Sequence, residues 1–128
     1  MVNKFYTDFC GNKHWRNEIG KLHRDHGPAY EGADGEKEYW INGKLHREDG
    51  PAIKYSSGSK EYWINGECHR EDGPAVEYAN GDKEWYLNGK LHREDGPACE
   101  WADGRKEYWL NDKQYDSLEE GLMDLALE

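Results

Sequence analysis

The sequence lacks the features that mark several classes of protein. It has no run of about 18 apolar residues that could span a membrane. The N-terminal residues MVNKFYTDFCGNKHW lack the apolar stretch of a signal peptide. The three cysteines, Cys10, Cys68 and Cys99, are too few and too scattered for a disulfide framework, and no CxxC pair indicates a metal site. We therefore expect a soluble protein of the reducing cytoplasm, with no metal and no cofactor.

Positive charge and apolar residues are also scarce. The chain has 17 Lys and Arg against 27 Asp and Glu, so its net charge is −10 at pH 7. Such a surface repels nucleic acids and anionic membranes and attracts basic proteins, so we expect no direct binding to nucleic acid or membrane. Only 35% of the residues are apolar, but six Trp and nine Tyr are present, whereas a disordered chain would be poor in aromatics. We expect one folded domain, residues 1–128, with a core of large rings that carry polar tips.

The main positive feature is a repeat of 23 residues. A His-Arg pair recurs at His23, His46, His69 and His92, and Gly-Pro-Ala follows each pair. Each copy continues with a turn such as SSGS, then Lys-Glu, two aromatics and Asn-Gly, which becomes Asn-Asp in the last copy. Asn-Gly between apolar residues predicts a hairpin with a type I′ turn, so two turns in each copy predict successive β-hairpins. The predicted repeats are about 30–52, 53–75, 76–98 and 99–112, after a degenerate unit 1–29.

The turn SSGS sets the predicted register of each hairpin. If all four of its residues form the loop, Tyr55 lies opposite Lys60. Side chains alternate along a strand. This register therefore predicts a core face made of Ile53, Tyr55, Tyr62 and Ile64. Cys68 and Cys99 occupy positions that hold aliphatic residues in other copies, so we expect both to be buried and unreactive.

The C-terminal tail YDSLEEGLMDLALE changes to a helical period. Ser117 and Glu120 form a candidate capping box, and Leu118, Leu122 and Leu125 follow at helical spacing. The pattern predicts a helix over about 116–127, which either caps the end of the repeats or binds a partner. The predicted fold class is all-β: an elongated antiparallel repeat sheet of stacked β-hairpins with a short C-terminal helical cap.

The segment EYWINGKLHREDGPAIKYSSGSKEYW resembles the MORN family of repeats. Units of that family combine an aromatic strand, Asn-Gly-Lys, a His and a later Asp-Gly or Ser-Gly turn. The resemblance covers roughly residues 12–112 and implies an elongated, twisted antiparallel sheet of hairpins. Because HREDGPA stands in place of a shorter Gly-x-Gly segment, the chain is most similar to the variant subgroup found in phages, large viruses and antitoxin-like bacterial proteins. The resemblance implies an accessory protein of a phage or mobile element, acting in the host cytoplasm.

A row of glutamates and aromatics is the first candidate site. The predicted register sets pairs of glutamates opposite each other, which destabilises a sheet, and their recurrence beside aromatics suggests an acidic, aromatic strip. This strip is either a solvated surface with lysines nearby or a docking surface for a basic or nucleic-acid-binding host protein. The candidate partner-binding residues are Glu31, Glu38, Trp40, Trp63, Glu77, Glu84, Tyr86, Glu100, Glu107 and Trp109.

The motif KLHREDGPA is the second candidate site. We expect a structural corner in which Arg47 bridges Asp49 and backbone carbonyls, with His46 opposite Tyr39. The alternative is an array that holds nucleotide phosphates and bases. Its candidate ligand-binding residues are His46, Arg47, His69, Arg70, His92 and Arg93. Equivalent histidines of successive hairpins lie about 9–10 Å apart, too far to share a metal ion.

These patterns predict a binding protein and not an enzyme. No nucleophile, base and acid occur together in one copy, and a repeated motif favours a surface over a single active site. The predicted function is a protein-interaction module that inhibits a host protein. A nucleotide-sequestering protein and an antitoxin or structural component are the alternatives. Exposed strand edges would also allow homo-oligomers.

Overall fold

A computed structural model describes residues Lys4–Glu128. The first three residues of the predicted unit 1–29 lie outside the described residues. The chain divides into two compact units, Met1–Glu67 and Cys68–Glu128, each built from antiparallel hairpins. The predicted all-β fold with a C-terminal helix is confirmed. No helix among the described residues is long and apolar enough to cross a membrane.

The described residues of the first unit form nine complete strands. They are β1 (Lys4–Thr7), β2 (Lys13–Arg16), β3 (Tyr30–Glu31), β4 (Lys37–Glu38), β5 (Trp40–Ile41), β6 (Lys44–Leu45), β7 (Ile53–Lys54), β8 (Lys60–Glu61) and β9 (Trp63–Ile64). Strands β1, β2, β3, β4, β7 and β8 pair in that order, and β5 pairs with β6 in a separate hairpin. Strand β10 (Glu67–Cys68) lies at the boundary of the units.

The second unit repeats this arrangement and ends in a helix. Its elements are β11 (Val76–Glu77), β12 (Lys83–Glu84), β13 (Tyr86–Leu87), β14 (Lys90–Leu91), β15 (Cys99–Glu100), β16 (Lys106–Leu110), β17 (Lys113–Tyr115) and α1 (Leu118–Ala126). Strands β11, β12, β15, β16 and β17 pair in order, and β13 pairs with β14.

The Asn-Gly turns have the predicted type I′ conformation. Asn42 and Gly43 have φ angles of 47° and 80°, and the next two copies are similar. In the last copy Asp112 takes the second turn position at φ 67°. Its carboxylate accepts the backbone N–H of Leu91 at 2.7 Å, which compensates in part for the left-handed conformation.

The predicted register of the other hairpins is wrong by one residue. Tyr55 N–H donates to the carbonyl of Ser59 at 2.9 Å, and Gly58 has a φ of 100°. The loop therefore has three residues and ends in a left-handed glycine, so Lys60 lies opposite Lys54 and not opposite Tyr55. A shift of one residue moves side chains to the other face of the sheet.

The predicted core face is therefore only half right. Glu61 accepts hydrogen bonds from the Tyr55 hydroxyl and the Trp63 indole N–H, both at 2.9 Å, so these three residues share a face with Ile53. Tyr62 lies on the opposite face because side chains alternate. The buried apolar residues are Ala29, Ala52, Ile53, Cys68, Ala75, Val76, Ala98, Cys99 and Leu110. The predicted burial of Cys68 and Cys99 is confirmed, and burial raises the pKa of the Cys99 thiol to about 12.

Helix α1 packs on the last hairpin. Ser117 accepts the N–H of Glu120 at 3.2 Å, as the capping motif predicts. Gly121 is the buried residue of the helix. A Cβ at this position would come within 2.9 Å of Leu110 and of the Tyr115 ring, so glycine allows the helix to pack this closely on the hairpin. The Tyr115 hydroxyl also donates to Asp124 at 2.6 Å. The helix is thus a cap on strands β16 and β17.

Candidate functional site

Each corner of the repeat is built around an arginine. Arg47 donates through Nε to Asp49 at 3.0 Å and through a terminal N–H to the carbonyl of Pro51 at 3.1 Å. Its guanidinium carbon lies 3.9 Å from the centre of the Tyr39 ring, a cation–π contact. A Cβ on Gly50 would come within 3.0 Å of the same guanidinium carbon, which explains the glycine. The predicted structural corner is confirmed.

The other corners repeat these contacts. Arg70 bonds to Asp72 and the carbonyl of Pro74, and Arg93 bonds to Asp95 and the carbonyl of Pro97, at 2.9–3.1 Å. Arg93 also stacks on Trp85 at 4.0 Å. Two hydrogen bonds therefore fix the guanidinium in each of these regular corners, and an aromatic ring adds a contact to Arg47 and to Arg93.

The first corner shows which contacts the arginine requires. Arg24 donates to the carbonyl of Pro28 at 3.1 Å and stacks on Trp15 at 4.0 Å, as in the other copies. His26 stands where the other corners have the aspartate. Asp25 takes the position of Glu94, and it lies 2.9 Å from Nε2 of His23 as Glu94 does from Nε2 of His92. The arginine keeps its position without the aspartate, so the proline carbonyl and the ring are enough to hold it.

The repeated histidines hold the next turn of the chain. His46 lies opposite Tyr39 as predicted, since its N–H donates to the Tyr39 carbonyl at 3.0 Å. Nδ1 of each histidine accepts the backbone N–H of the asparagine that begins the next Asn-Gly or Asn-Asp turn. These pairs are His23 with Asn42, His46 with Asn65, His69 with Asn88 and His92 with Asn111, at 2.9–3.0 Å. Because Nδ1 accepts, the ring proton is on Nε2, which lies 2.9 Å from Glu94 in the last corner. Sequence reasoning missed these bonds because their partners lie 19 residues apart.

The acids of the corners remain largely exposed. The side chains of Glu48, Asp49 and Asp72 keep 83%, 87% and 88% of their accessible surface. Asp25, Glu71, Glu94 and Asp95 are exposed as well. We call these carboxylates the corner surface: Asp25, Glu48 and Asp49 in the first unit, and Glu71, Asp72, Glu94 and Asp95 in the second.

Each unit has a cleft between two successive corners. In the first unit the cleft has a volume of about 740 Å³ and is lined by Tyr39 and Ile41 between the segments 24–27 and 46–49. In the second unit a cleft of about 480 Å³ is lined in the same way by Trp85 and Leu87, between the segments 70–73 and 92–95. The repeat thus produces the same combination twice: an apolar floor between walls that carry acids.

The predicted glutamate strip is divided between two faces. On one face the indole N–H of Trp40 donates to Glu38 at 2.8 Å, and that of Trp109 donates to Glu107 at 2.9 Å. Trp63 and Tyr86 make the same type of bond, with Glu61 and Glu84. In the first unit this face thus holds the predicted residues Glu38, Trp40 and Trp63 together with Glu61, which the prediction missed. In the second unit it holds the predicted residues Glu84, Tyr86, Glu107 and Trp109.

The remaining glutamates lie on the opposite face, with the arginines. The predicted Glu–Glu pairs are wrong, because Glu31, Glu77 and Glu100 lie opposite lysines. Their partners are Lys37, Lys83 and Lys106. The same three glutamates also approach Arg24, Arg70 and Arg93, at 3.9, 3.6 and 3.2 Å. The three-residue loop explains the difference. It shifts the pairing by one residue, so each glutamate lies opposite the lysine that precedes the glutamate predicted as its partner.

One pair of acids on the glutamate–aromatic face is unusual. A hydrogen bond between the carboxyl groups of Glu36 and Glu38, together with burial, raises the pKa of Glu36 to about 7. The position of Glu36 holds Ser59, Asp82 and Arg105 in the other copies. Ser59 and Arg105 cannot form such a pair, and the Asp82 carboxylate accepts hydrogen bonds from Asn80 and from the N–H of Ala102.

The described part of the chain has no group of three His, Cys, Asp or Glu arranged to hold a metal ion. Comparison with known proteins finds no family model and no curated protein that matches the sequence.

Proposed function

We propose that the protein is a non-catalytic interaction module that binds a basic protein partner through the corner surface. The observation that supports this most is the exposure of the corner acids beside an apolar cleft in each unit. The net charge of −10 adds a long-range attraction for a basic partner.

The clefts suit the side chains of lysine and arginine. Both have an apolar stem and a charged end, and such side chains bury the stem while the charge stays at the surface. In the first unit the stem would lie on Tyr39 and Ile41, and the charge would meet Asp25 or Glu48 at the walls. Aromatic floors add a cation–π contribution.

The nucleotide-sequestering alternative has less support. It requires arginine and histidine side chains that are available to phosphates, but Arg47 and Arg93 already bond to an aspartate and a proline carbonyl. Nδ1 of His46 and of His92 accepts a backbone N–H. The exposed side chains of the three regular corners are carboxylates, which repel phosphate.

The glutamate–aromatic face supports the fold more than it supports binding. Its carboxylates are half-buried and accept hydrogen bonds from Trp or Tyr, as Glu107 does from Trp101 and Trp109. The proposed partner surface is therefore the set of corner acids, in place of the strip favoured by the sequence pattern.

The resemblance to MORN-variant repeats supports the biological setting. It favours an accessory protein of a phage or mobile element that binds and inhibits a host protein in the host cytoplasm. An antitoxin or a structural component of a particle would use the same surface toward a different basic partner, and a toxin gene next to this gene or the protein's presence in purified particles would separate them.

The proposal can be tested with two variants of equal net charge. The double change Glu48→Gln and Glu71→Gln neutralises one exposed corner acid in each unit. The double change Glu18→Gln and Glu119→Gln neutralises exposed acids away from the corners. Both change the net charge from −10 to −8. A pulldown from bacterial lysate with the wild-type protein would identify the partner, and titration calorimetry would measure its affinity for each variant.

We expect the corner variant to bind about tenfold more weakly, and the control to bind like the wild type. Added salt should weaken the wild-type complex, because the corner acids are exposed to screening. Equal weakening by both variants would show that only the overall charge matters, and no weakening by either would place the partner on another surface.

A further inference from the structure

Strand β1 forms an exposed, partly apolar edge of the first unit. Its residues, Lys4–Thr7, are all exposed and pair on one side with β2. Phe5 and Tyr6 keep 54% and 42% of their accessible surface, and Phe9 just beyond the strand is fully exposed. Among the described residues no strand pairs with the other side of β1. An edge of this type is a template for pairing with another strand.

The hydrogen bonds of β2 show which groups of β1 point outward. The N–H of Trp15 donates to the carbonyl of Ala29 at 2.8 Å, so it points away from its partner Phe5. Hydrogen-bonded and non-bonded pairs alternate along an antiparallel ladder. The bonded pairs are therefore Lys4 with Arg16 and Tyr6 with His14. The N–H and C=O groups of Phe5 and Thr7 are left at the free edge.

These outward groups fit a second copy of the same strand. If two β1 strands pair antiparallel about a two-fold axis at Tyr6, Phe5 of each copy lies opposite Thr7 of the other. The two outward residues then exchange four main-chain hydrogen bonds. Lys4 of each copy lies opposite Asp8 of the other, so the charges are complementary as well.

Other registers do not give this match. A shift of two residues one way sets Phe5 opposite Phe5 and Lys4 opposite Tyr6. The opposite shift sets Thr7 opposite Thr7 and Tyr6 opposite Asp8. Of these three registers, the one centred on Tyr6 alone makes β1 complementary to β1 of a second copy. Such pairing of a surface with itself is isologous and is typical of two-fold dimers.

We propose that the protein forms a two-fold symmetric dimer by antiparallel pairing of β1 with β1 of a second copy, with Tyr6 at the axis and Lys4 opposite Asp8. The contact is small and joins two chains of like net charge. The expected dissociation constant is therefore on the order of 10 μM.

Sedimentation velocity of the full chain between about 1 and 500 μM tests the dimer. Thr7→Pro removes an outward N–H that β2 does not use, and proline is tolerated on an edge strand. We expect this variant to stay monomeric with an unchanged circular dichroism spectrum. Thr7→Val keeps the N–H and is the matched control, which should dimerise like the wild type. A wild type that stays monomeric throughout, or a dimer unaffected by Thr7→Pro, would overturn the proposal.

The charge pair has its own control. Lys4→Glu should weaken the dimer at least tenfold, because it faces Asp8 of the second copy. Lys90→Glu makes the same change in net charge at an exposed site outside β1 and should have little effect. Equal weakening by the two variants would contradict the proposed pairing.

Cross-linking tests the register in a Cys10→Ser background, which removes the exposed native cysteine. Tyr6→Cys places two sulfurs at the axis, where facing Cα atoms lie about 4.5 Å apart and a disulfide can form. We expect mild oxidation to link this variant into a dimer. Efficient linking of Phe5→Cys and none of Tyr6→Cys would indicate the shifted register and overturn the proposed one.

Discussion

The two faces of each hairpin use aromatic rings in opposite ways. On one face a ring offers its π surface to a cation, as Tyr39 does to Arg47 at 3.9 Å. On the other face a ring offers an N–H to an anion, as Trp109 does to Glu107 at 2.9 Å. The electron-rich face of an aromatic ring attracts cations, whereas the indole N–H is a hydrogen-bond donor.

The difference shows how a small core can hold many charged residues. Neighbouring aromatics such as Tyr39 and Trp40 point to opposite faces, so the repeat that contains them supplies one ring for Arg47 and one for Glu38. The arginine is fixed by a carbonyl and a ring, while its acidic neighbours stay exposed. The structural and the candidate binding groups are thus adjacent in sequence but separate in role.

The largest expected effect is on the arginine face. Arg47→Met removes the bond to the Pro51 carbonyl, the bond to Asp49 and the stack on Tyr39. We expect the free energy of unfolding in urea to fall by about 2–3 kcal/mol. The control is Arg105→Met, because Arg105 is mostly exposed and lies 5.8 Å from Trp101, and we expect a change below about 0.5 kcal/mol. Equal losses would show that the corner arginine has no special role.

The second prediction tests the histidine of the same face. His92 is buried and bonds to the Asn111 N–H and to Glu94. His92→Leu keeps the volume but removes both bonds, so we expect a loss of about 1–2 kcal/mol in unfolding free energy. His26→Leu, at an exposed histidine, is the control and should change stability little. A stability unchanged in His92→Leu would mean that the repeated Nδ1 bonds do not support the turns.

The third prediction uses the acid pair on the glutamate face. The pKa of Glu36 is raised to about 7, so the protonated carboxyl favours the folded state. That contribution is complete below the ordinary pKa of a glutamate and is lost as the pH rises through 7. Because glutamine stays neutral, Glu36→Gln should stabilise the protein by about 1 kcal/mol at pH 8 and by nothing at pH 4. Thermal unfolding at both pH values measures this, and Glu18→Gln is the exposed control. An equal gain at the two pH values would rule out the carboxyl pair as the cause.

The smallest expected effect concerns the bonds between glutamate and tryptophan. Glu107 accepts the indole N–H of Trp101 at 3.1 Å and of Trp109 at 2.9 Å. In Glu107→Gln the amide carbonyl can still accept, but its NH₂ group cannot. We expect a loss of about 0.5 kcal/mol in urea unfolding. Glu18→Gln, at an exposed site outside the helix, should show none. A loss as large as that of Arg47→Met would contradict the contrast between the faces.

Much of the fold could be predicted because the signals are local. Asn-Gly requires two left-handed residues in succession, and Ser117 with Glu120 caps a helix within one turn. The corner bonds between Arg47, Asp49 and Pro51 also lie within five residues.

The register was mispredicted because one turn fits two loop lengths. SSGS can be a four-residue loop, or a three-residue loop that ends in a left-handed glycine. The glycine at the third position of SSG, ANG and ADG is the signal that favours the shorter loop. The bond from Asn65 N–H to His46 could not be predicted, because it depends on how one hairpin packs on the next.

The assignment of side chains to the two faces depends on the register of the hairpins with three-residue loops. Nuclear Overhauser effects between facing strands measure that register directly. Glu77 lies opposite Lys83, and Tyr78 N–H donates to the Asp82 carbonyl, so Glu77 and Lys83 form a non-hydrogen-bonded pair with Cα atoms about 4.5 Å apart. We predict a strong cross-peak between the Hα protons of Glu77 and Lys83. A strong Hα cross-peak between Glu77 and Glu84 in its place would put both glutamates on one face and contradict the account.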